Sequence, residues 1–318
     1  MTERTRLLLG TEAMERIRAA RVLVFGLGGV GGAAAEALVR TGVGALTVID
    51  AGTVGESNLN RQLIATRGTL GMPKTAAFKA RAESINPEVK ITELPVFLNA
   101  ANAGEIIEDF LEETGRMWNG KGDMSGHCEE RGDEAIPRNN HPALTGTPPQ
   151  EGNCGIAASR SRAPRNDHDF TLRSSPDNNS TFHISHFTFY AIDAADTVTS
   201  KVAFIKACRA RGLPVISCMG TGNKLDPSCL RVGDISQIAG CPLARAVRAA
   251  LRKEGITGLE TVYSTEKPSK TVITEHGRHA PASVMFVPVS AGMLLAQRGI
   301  QGIIESCHVD RSGDIASD

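Results

Sequence analysis

Between Arg21 and Asp50 the chain has few folding options. Arg21-Val-Leu-Val-Phe25 is a short, apolar, β-branched run of the kind that forms a strand buried on both faces. It passes directly into Gly26-Leu-Gly28-Gly29-Val-Gly31-Gly32, and the Ala33–Arg40 segment that follows is rich in helix formers. Ala45-Leu-Thr-Val-Ile-Asp50 reads as a second buried strand that ends on a carboxylate, nineteen positions after Gly31. Strand, G-x-G-x-x-G, helix, strand and acid in this order predict a Rossmann-like, doubly wound α/β fold. Such a fold has a mostly parallel sheet, helices on both faces and a nucleotide at the glycine loop. Glycines let the backbone approach a phosphate, and the helix N-terminus offers unpaired N–H groups and a partial positive charge. Gly26, Gly28, Gly29 and Gly31 are therefore candidate nucleotide-binding positions, and Asp50 is placed to accept hydrogen bonds from ribose hydroxyls. A glycine-rich turn that only packs a helix on a sheet is the plainer alternative.

The residues after Asp50 bear on which nucleotide is bound. A dinucleotide dehydrogenase would continue with another helix and strand to support the second half of its cofactor. Here Asp50 leads into a polar loop ending Asn58-Leu-Asn60-Arg61-Gln62, and then into Gly71-Met-Pro-Lys74. Arg61 can clamp phosphate oxygens through its planar fork, and Lys74 supplies a point charge. Each alone reads as a solvated surface cation; next to a glycine loop they suit a polyanionic triphosphate better than a dinucleotide. Farther on, the strand-like Phe187-Thr-Phe-Tyr-Ala-Ile192 runs into Asp193-Ala-Ala-Asp196. A carboxylate at the carboxyl end of a strand suits a hard cation bridging phosphate oxygens. Asp196 reads equally as the N-cap of a helix over Thr197–Arg211.

Gly-x-Gly-Gly-Val-Gly, the terminal Asp50, Asn58-Leu-Asn-Arg-Gln62 and Lys74 together resemble the ATP-binding core of the ubiquitin-activating-enzyme superfamily, whose bacterial members include ThiF and MoeB. The resemblance implies that Asp50 binds ribose, and that Asn58, Arg61, Gln62 and Lys74 serve the nucleotide and its phosphates. It also implies that Asp196 holds Mg2+, with Asp193 drawn into the same cofactor site. ThiF and MoeB usually carry two C-x-x-C pairs for zinc; this chain has none, so no structural zinc is expected. What it has is Arg4-Thr-Arg-Leu-Leu-Leu-Gly10, Ser217-Cys-Met-Gly220-Thr-Gly-Asn-Lys-Leu-Asp-Pro227, Cys241-Pro-Leu-Ala-Arg245, Val262-Tyr-Ser-Thr-Glu-Lys-Pro268 and Ser283-Val-Met-Phe-Val-Pro288. In that order these blocks resemble the TcdA branch, the tRNA threonylcarbamoyladenosine dehydratases.

That branch implies ATP-dependent cyclisation of the threonylcarbamoyl group on the adenosine beside the tRNA anticodon, through adenylation of the threonyl carboxylate. Arg61, Lys74 and Asp196 would be the catalytic set. Arg4 would reach across a homodimer interface as an arginine finger, or stand as an ordinary surface arginine on a frayed terminus. Two alternatives stay open: adenylation of the C-terminus of a ubiquitin-like sulfur-carrier protein, and a non-catalytic nucleotide-binding scaffold in a cysteine-desulfurase or sulfur-acceptor system. Some relatives have a cysteine where this chain has Thr261, which weakens a thioester mechanism. Others have a serine at Gly32, so a hydroxyl contact to phosphate is replaced by the backbone N–H alone.

Composition bears on the partners. Lys+Arg and Asp+Glu are equal at 35 each, so attraction to nucleic acid has to come from a local patch. The helical Pro242–Glu254 segment carries Arg245, Arg248, Arg252 and Lys253, with Arg248 and Arg252 one turn apart. This is the candidate tRNA footprint, with Lys267 beside it and Lys224, Lys270 and Arg278 as possible extensions; a solvated charged face is the plainer reading. Seven widely spread cysteines without a C-x-x-C pair favour reduced thiols in a cytoplasmic protein. Cys218 and Cys241 read as core or cap thiols. The uncharged Ala280–Gln297 stretch is broken by Pro281, Pro288 and Gly292 and reads as a strand or loop followed by a buried helix, with no membrane insertion.

Residues 115–186 break the pattern. They hold seven Ile, Leu, Val or Phe against eight Gly, six Pro, seven Asn and five of the eight His, too little apolar matter to bury a core. The segment reads as a disordered insertion, which includes the lone Trp118. It divides a single ATP-binding domain formed by 1–114 and 187–318, whose C-terminal part faces the substrate. A helix is expected over Ala101–Glu113, just before the break.

Overall fold

Val22 and Val24 point to one side of the central sheet and Leu23 and Phe25 to the other, and all four are buried. This two-sided burial is why the run is continuously apolar. The strand they form, β1 (Arg21–Phe25), lies between β2 (Ala45–Ile49) and β4 (Phe189–Asp193), both parallel to it. The computed structural model describes residues 1–116, 188–269, 272–275 and 278–305. Gly115 and Arg116 of the expected insertion are helical, and the rest of it, including Trp118, lies outside the described residues, as do Lys270 and the side-chain surroundings of Arg278.

The sheet has seven strands in the order β3-β2-β1-β4-β5-β7-β6, where β3 is Lys90–Leu94, β5 Val215–Cys218, β6 Leu230–Asp234 and β7 Glu260–Ser264. Every pairing is parallel except that of β6 with β7. Strand order reverses at β1, which places a crevice at the carboxyl ends of β1 and β4, where open α/β sheets bind ligands. A separate hairpin pairs β8 (Val272–Glu275) with β9 (Arg278–Pro281).

One face of the sheet is covered by α2 (Thr11–Ala19), α3 (Gly31–Thr41), α4 (Lys74–Ile85) and α8 (Phe286–Glu305), after the short α1 (Glu3–Leu9). The other face carries α5 (Ala103–Arg116), α6 (Val198–Ala210) and α7 (Pro242–Lys253). The closest helix packing is between α3 and α8. A Cβ on Gly292 would come 2.4 Å from the Val30 carbonyl oxygen and 2.8 Å from Ala33 Cβ, so only glycine allows the approach. The uncharged Ala280–Gln297 stretch thus spans the end of β9 and most of α8, whose Val287, Ala291, Leu295 and Ile303 are buried. Among the described residues no helix is long and apolar enough to cross a membrane.

Glu36 of α3 is 6% exposed and joins this layer to α4 through hydrogen bonds from Arg81, with Arg40 bonded to the same carboxylate. Burial pushes its carboxyl pKa up, but the two guanidinium groups outweigh it and hold the group below its ordinary 4.5. A carboxylate with a lowered folded-state pKa adds stability that is present above the unfolded value and lost as pH falls through the folded one. Glu36→Gln should therefore cost about 1–3 kcal/mol at neutral pH. Urea midpoints measured against pH should show the gap to the parent closing below pH 4.5; a gap that persists in acid would count against the ion pairs.

Candidate nucleotide site

The turn from β1 into α3 requires glycine at two places. Gly26 has φ +90°, and a Cβ there would lie 3.0 Å from the backbone of Ala194. At Gly31 a Cβ would fall 1.7 Å from the Gly26 carbonyl oxygen. The turn therefore folds back on itself and rests on the β4–α6 connection, leaving the first amides of α3 at the crevice.

Asp50, just past β2, is tied to this turn. Its Oδ2 accepts a hydrogen bond from the Leu27 amide at 2.7 Å, and its Oδ1 accepts one from the Gly52 amide at 2.7 Å. Each oxygen keeps acceptor capacity for a hydroxyl. Lys74, the first residue of α4, brings its Nζ to 4.0 Å from Asp50 Oδ2, and both side chains retain partial access to solvent, 16% and 14%. A side chain on Gly52 would lie 3.4 Å from that Nζ, so this glycine leaves room for the lysine.

The Asn58–Gln62 turn comes in from the other side. Asn58 Oδ1 accepts from the Gly55 amide, and Arg61 donates to the Ser57 carbonyl at 2.7 Å and to Asn60 Oδ1 at 3.0 Å. A Cβ on Gly29 would meet the Arg61 carbonyl oxygen and Pro288 Cβ, each at 3.2 Å, so the bare glycine lets Arg61 and the start of α8 close on the loop. Asn60 fastens the same turn to the α8 entrance through the Ser283 carbonyl, 2.8 Å away. Gln62 is 6% exposed, and its Oε1 is a buried acceptor with no hydrogen-bond partner among the described residues. Such an atom is costly unless something else supplies a donor. Its Nε2 lies 4.0 Å from where a Gly28 Cβ would stand. The structure thus brings together the glycine loop, Asp50, Asn58, Arg61, Gln62 and Lys74.

Other expected residues fall elsewhere. Asp193, expected at the cofactor, is wholly buried: Oδ2 accepts from Lys201 Nζ at 2.8 Å and Ser217 Oγ at 2.6 Å, and Oδ1 from the Ala195 amide. In this structure it is an interior group whose oxygens are taken up by Lys201, Ser217 and the Ala195 amide. Burial drives its carboxyl pKa up, against the pull of Lys201 and Ser217. Asp196 stands exposed at the carboxyl end of β4, bonded only loosely by Thr197 Oγ1 at 3.4 Å. It is not the N-cap of α6; that position is Thr197. Arg4 stands exposed on α1 near Leu7 and Leu8, which are 76% and 84% exposed.

On α7, Arg245, Arg252 and Lys253 are exposed, as is Lys267 beyond β7. Arg248 is half-buried and donates to the Ile235 and Ile238 carbonyls at 2.8 and 3.0 Å, which makes it a brace for the preceding turn as much as a surface cation. Lys224 leaves the cationic patch altogether. It is 5% exposed, donates to the Ser264 carbonyl at 3.1 Å, and burial lowers its pKa. Cys241 is the N-cap of α7, and Cys218 is buried in β5 with its thiol pushed up to about 12 by desolvation. Thr261 is buried and donates to the Gly233 carbonyl at 2.7 Å. Sequence reasoning passed over Lys201 and had Ser217 and Pro288 only as ends of motif blocks, because nothing in their local patterns marks a buried polar group or a helix end pressed on the loop.

A model of the ThiF family matches residues 2–112. The chain is 29% identical to the tRNA threonylcarbamoyladenosine dehydratase of Bacillus subtilis, over 98% of this chain and 97% of that protein. Similarity to the molybdopterin-synthase adenylyltransferase of Haemophilus influenzae is 39%, but over 31% of this chain and 41% of that one. The solved structure of the Escherichia coli tRNA N6-threonylcarbamoyladenosine dehydratase, TcdA, in complex with ATP aligns with a TM-score of 0.66 at 23% identity, covering 98% of this chain and 96% of that one. A ThiF family model thus covers residues 2–112, and the described residues share the fold of the solved Escherichia coli dehydratase.

Proposed function

We propose that this chain is an ATP-dependent tRNA threonylcarbamoyladenosine dehydratase. The observation that carries the reading is similarity to a dehydratase along essentially the whole chain, joined to a glycine loop whose neighbours suit a triphosphate. Similarity to the molybdopterin-synthase adenylyltransferase covers 31% of the chain against 98% for the dehydratase, which disfavours that alternative.

A free carboxylate is a poor electrophile because oxide would have to leave. In the proposed reaction the threonyl carboxylate oxygen attacks the α-phosphorus of ATP and pyrophosphate departs, giving a mixed anhydride. The carbamoyl group then attacks the acyl carbon, the bond to AMP breaks, and the ring closes with net loss of one water from the nucleoside. The protein contributes position and charge. The glycine loop amides hold phosphate, Asp50 takes the ribose, Asn58 and Gln62 fix the nucleotide, and Arg61 and Lys74 offset charge that builds on the phosphates. Gln62 Oε1, buried without a partner, is suited to receive a donor from the bound nucleotide. Asp196, exposed and weakly bonded, is the carboxylate that would hold Mg2+. Magnesium there would neutralise phosphate charge. Arg4, the exposed leucines of α1 and a homodimer belong to the same proposal, as do a cytoplasmic setting and contact with a sulfur-transfer system.

The test is incubation with ATP, magnesium and tRNA carrying threonylcarbamoyladenosine, followed by mass measurement of the nucleoside. Loss of one water supports the proposal. An unchanged nucleoside, with pyrophosphate released only when a carrier protein is added, would establish the alternative. For the tRNA surface, Arg245→Glu with Arg252→Glu should weaken binding. If each arginine meets a phosphate, the slope of log affinity against log salt should fall by about one per arginine removed. An unchanged slope would move the footprint off α7.

A further inference from the structure

The Asp193 cluster is the most deeply placed polar group beside the site, and nucleotide chemistry has no direct use for it. Asp193, Lys201 and Ser217 are each inaccessible to solvent or nearly so, at 0%, 0% and 0% exposure. A buried ion pair gains little stability over an apolar pair of the same shape, because both charges lose their hydration. Its geometry is the informative part. Asp193 ends β4, Ser217 sits on β5 and Lys201 on α6, so one carboxylate joins three elements. The same carboxylate also holds the Ala195 amide at 3.2 Å.

Ala195 belongs to the connection on which the glycine loop rests. The Ala194 amide donates to the Phe25 carbonyl at 2.8 Å, and the Ala194 backbone occupies the space beside Gly26. Ala194 Cβ lies 3.0 Å from where a Gly31 side chain would start. Asp196 follows on the same turn. We infer that Asp193, braced by Lys201 and Ser217, is a positioning residue. Through the Ala195 amide it sets the Ala194–Asp196 turn, and with it both the floor of the glycine loop and the place of the Asp196 carboxylate. The functional side of this inference rests on the proposed ATP chemistry; the tether itself does not.

Two double variants separate the tether from the ion pair. Asp193→Leu with Lys201→Met removes the charges and also the acceptor for Ala195. Asp193→Asn with Lys201→Met removes the same charges but keeps an oxygen facing that amide. If the cluster serves stability alone, the two variants behave alike, since both lack the ion pair. The tether predicts faster amide hydrogen exchange at 194–197 and 26–31 in the leucine variant, with exchange over the body of α6 unchanged, and recovery in the asparagine variant. Binding of ATP with magnesium should weaken about 10–100-fold in the first and return most of the way in the second. Equal exchange in the two variants would overturn the inference. Exchange needs no nucleotide, so a parent chain that fails to use ATP would defeat the functional reading while exchange still decides the tether.

Discussion

Asp196→Ala should cut turnover severely and leave the fold intact. The side chain is exposed and its one recorded bond, from Thr197 Oγ1, is long at 3.4 Å, so its removal costs the folded state little. Under the proposal Asp196 holds a cation against the phosphates, and losing that charge should lower turnover by about 10²–10³-fold, the scale seen when one preorganised electrostatic contact is deleted. Release of pyrophosphate and formation of the dehydrated nucleoside should fall together, with an unchanged melting temperature. Parental turnover in this variant would remove Asp196 from the mechanism. Asp196→Asn keeps the shape without the charge and should behave like the alanine variant.

The second large effect is expected at Gly31. An alanine methyl there would stand 1.7 Å from the Gly26 carbonyl oxygen and 3.0 Å from Ala194 Cβ, and neither side can move without opening the loop. Overpacking of this kind typically costs about 1–3 kcal/mol in stability. If the opened loop loses a similar amount in phosphate binding, ATP affinity falls about 5–150-fold. Gly28 provides the contrast: among the described residues a Cβ there would meet only Gln62 Nε2, at 4.0 Å, so Gly28→Ala fits the empty protein but intrudes where phosphate should lie. Calorimetric titration with ATP and thermal unfolding should show Gly31→Ala failing in both and Gly28→Ala in binding alone. A Gly31→Ala protein with parental stability would mean the turn is looser than its geometry.

Residues 21–50 were legible because their signals are local, whereas α1 and α2 before them were not anticipated. β1 and β2 are short apolar runs that need no knowledge of the rest of the chain, and the glycines and Asp50 sit at positions fixed by one turn. Polar residues in the second half were harder. Lys201 lies in Thr-Ser-Lys-Val, which reads as a helix surface, and Lys224 follows Gly-Asn in what looks like an open loop; both are buried. Their partners sit on other elements of the fold, Asp193 at the end of β4 for one and Ser264 on β7 for the other. Arg248 shows the same limit, since the i,i+4 spacing with Arg252 is real but the carbonyls of Ile235 and Ile238 claim its guanidinium. Asp196 and Thr197 differ by one residue as helix cap, a shift that sequence preferences for Asp and Thr do not resolve.

The seating of α8 against Gly29 and Val30 has a consequence for biosynthesis. A ribosome that has released residues through α4 has already delivered the glycine loop, Asp50, Arg61 and Lys74, yet the Pro288 that closes on Gly29 and the Ser283 carbonyl that holds Asn60 come about two hundred residues later. During vectorial synthesis the phosphate cradle exists in sequence long before it exists in space, and its apolar underside, including Val24, Ala34 and Leu38, waits for Ala291 and Leu295. Nucleotide added to stalled nascent chains should therefore be retained only by those long enough to have released α8.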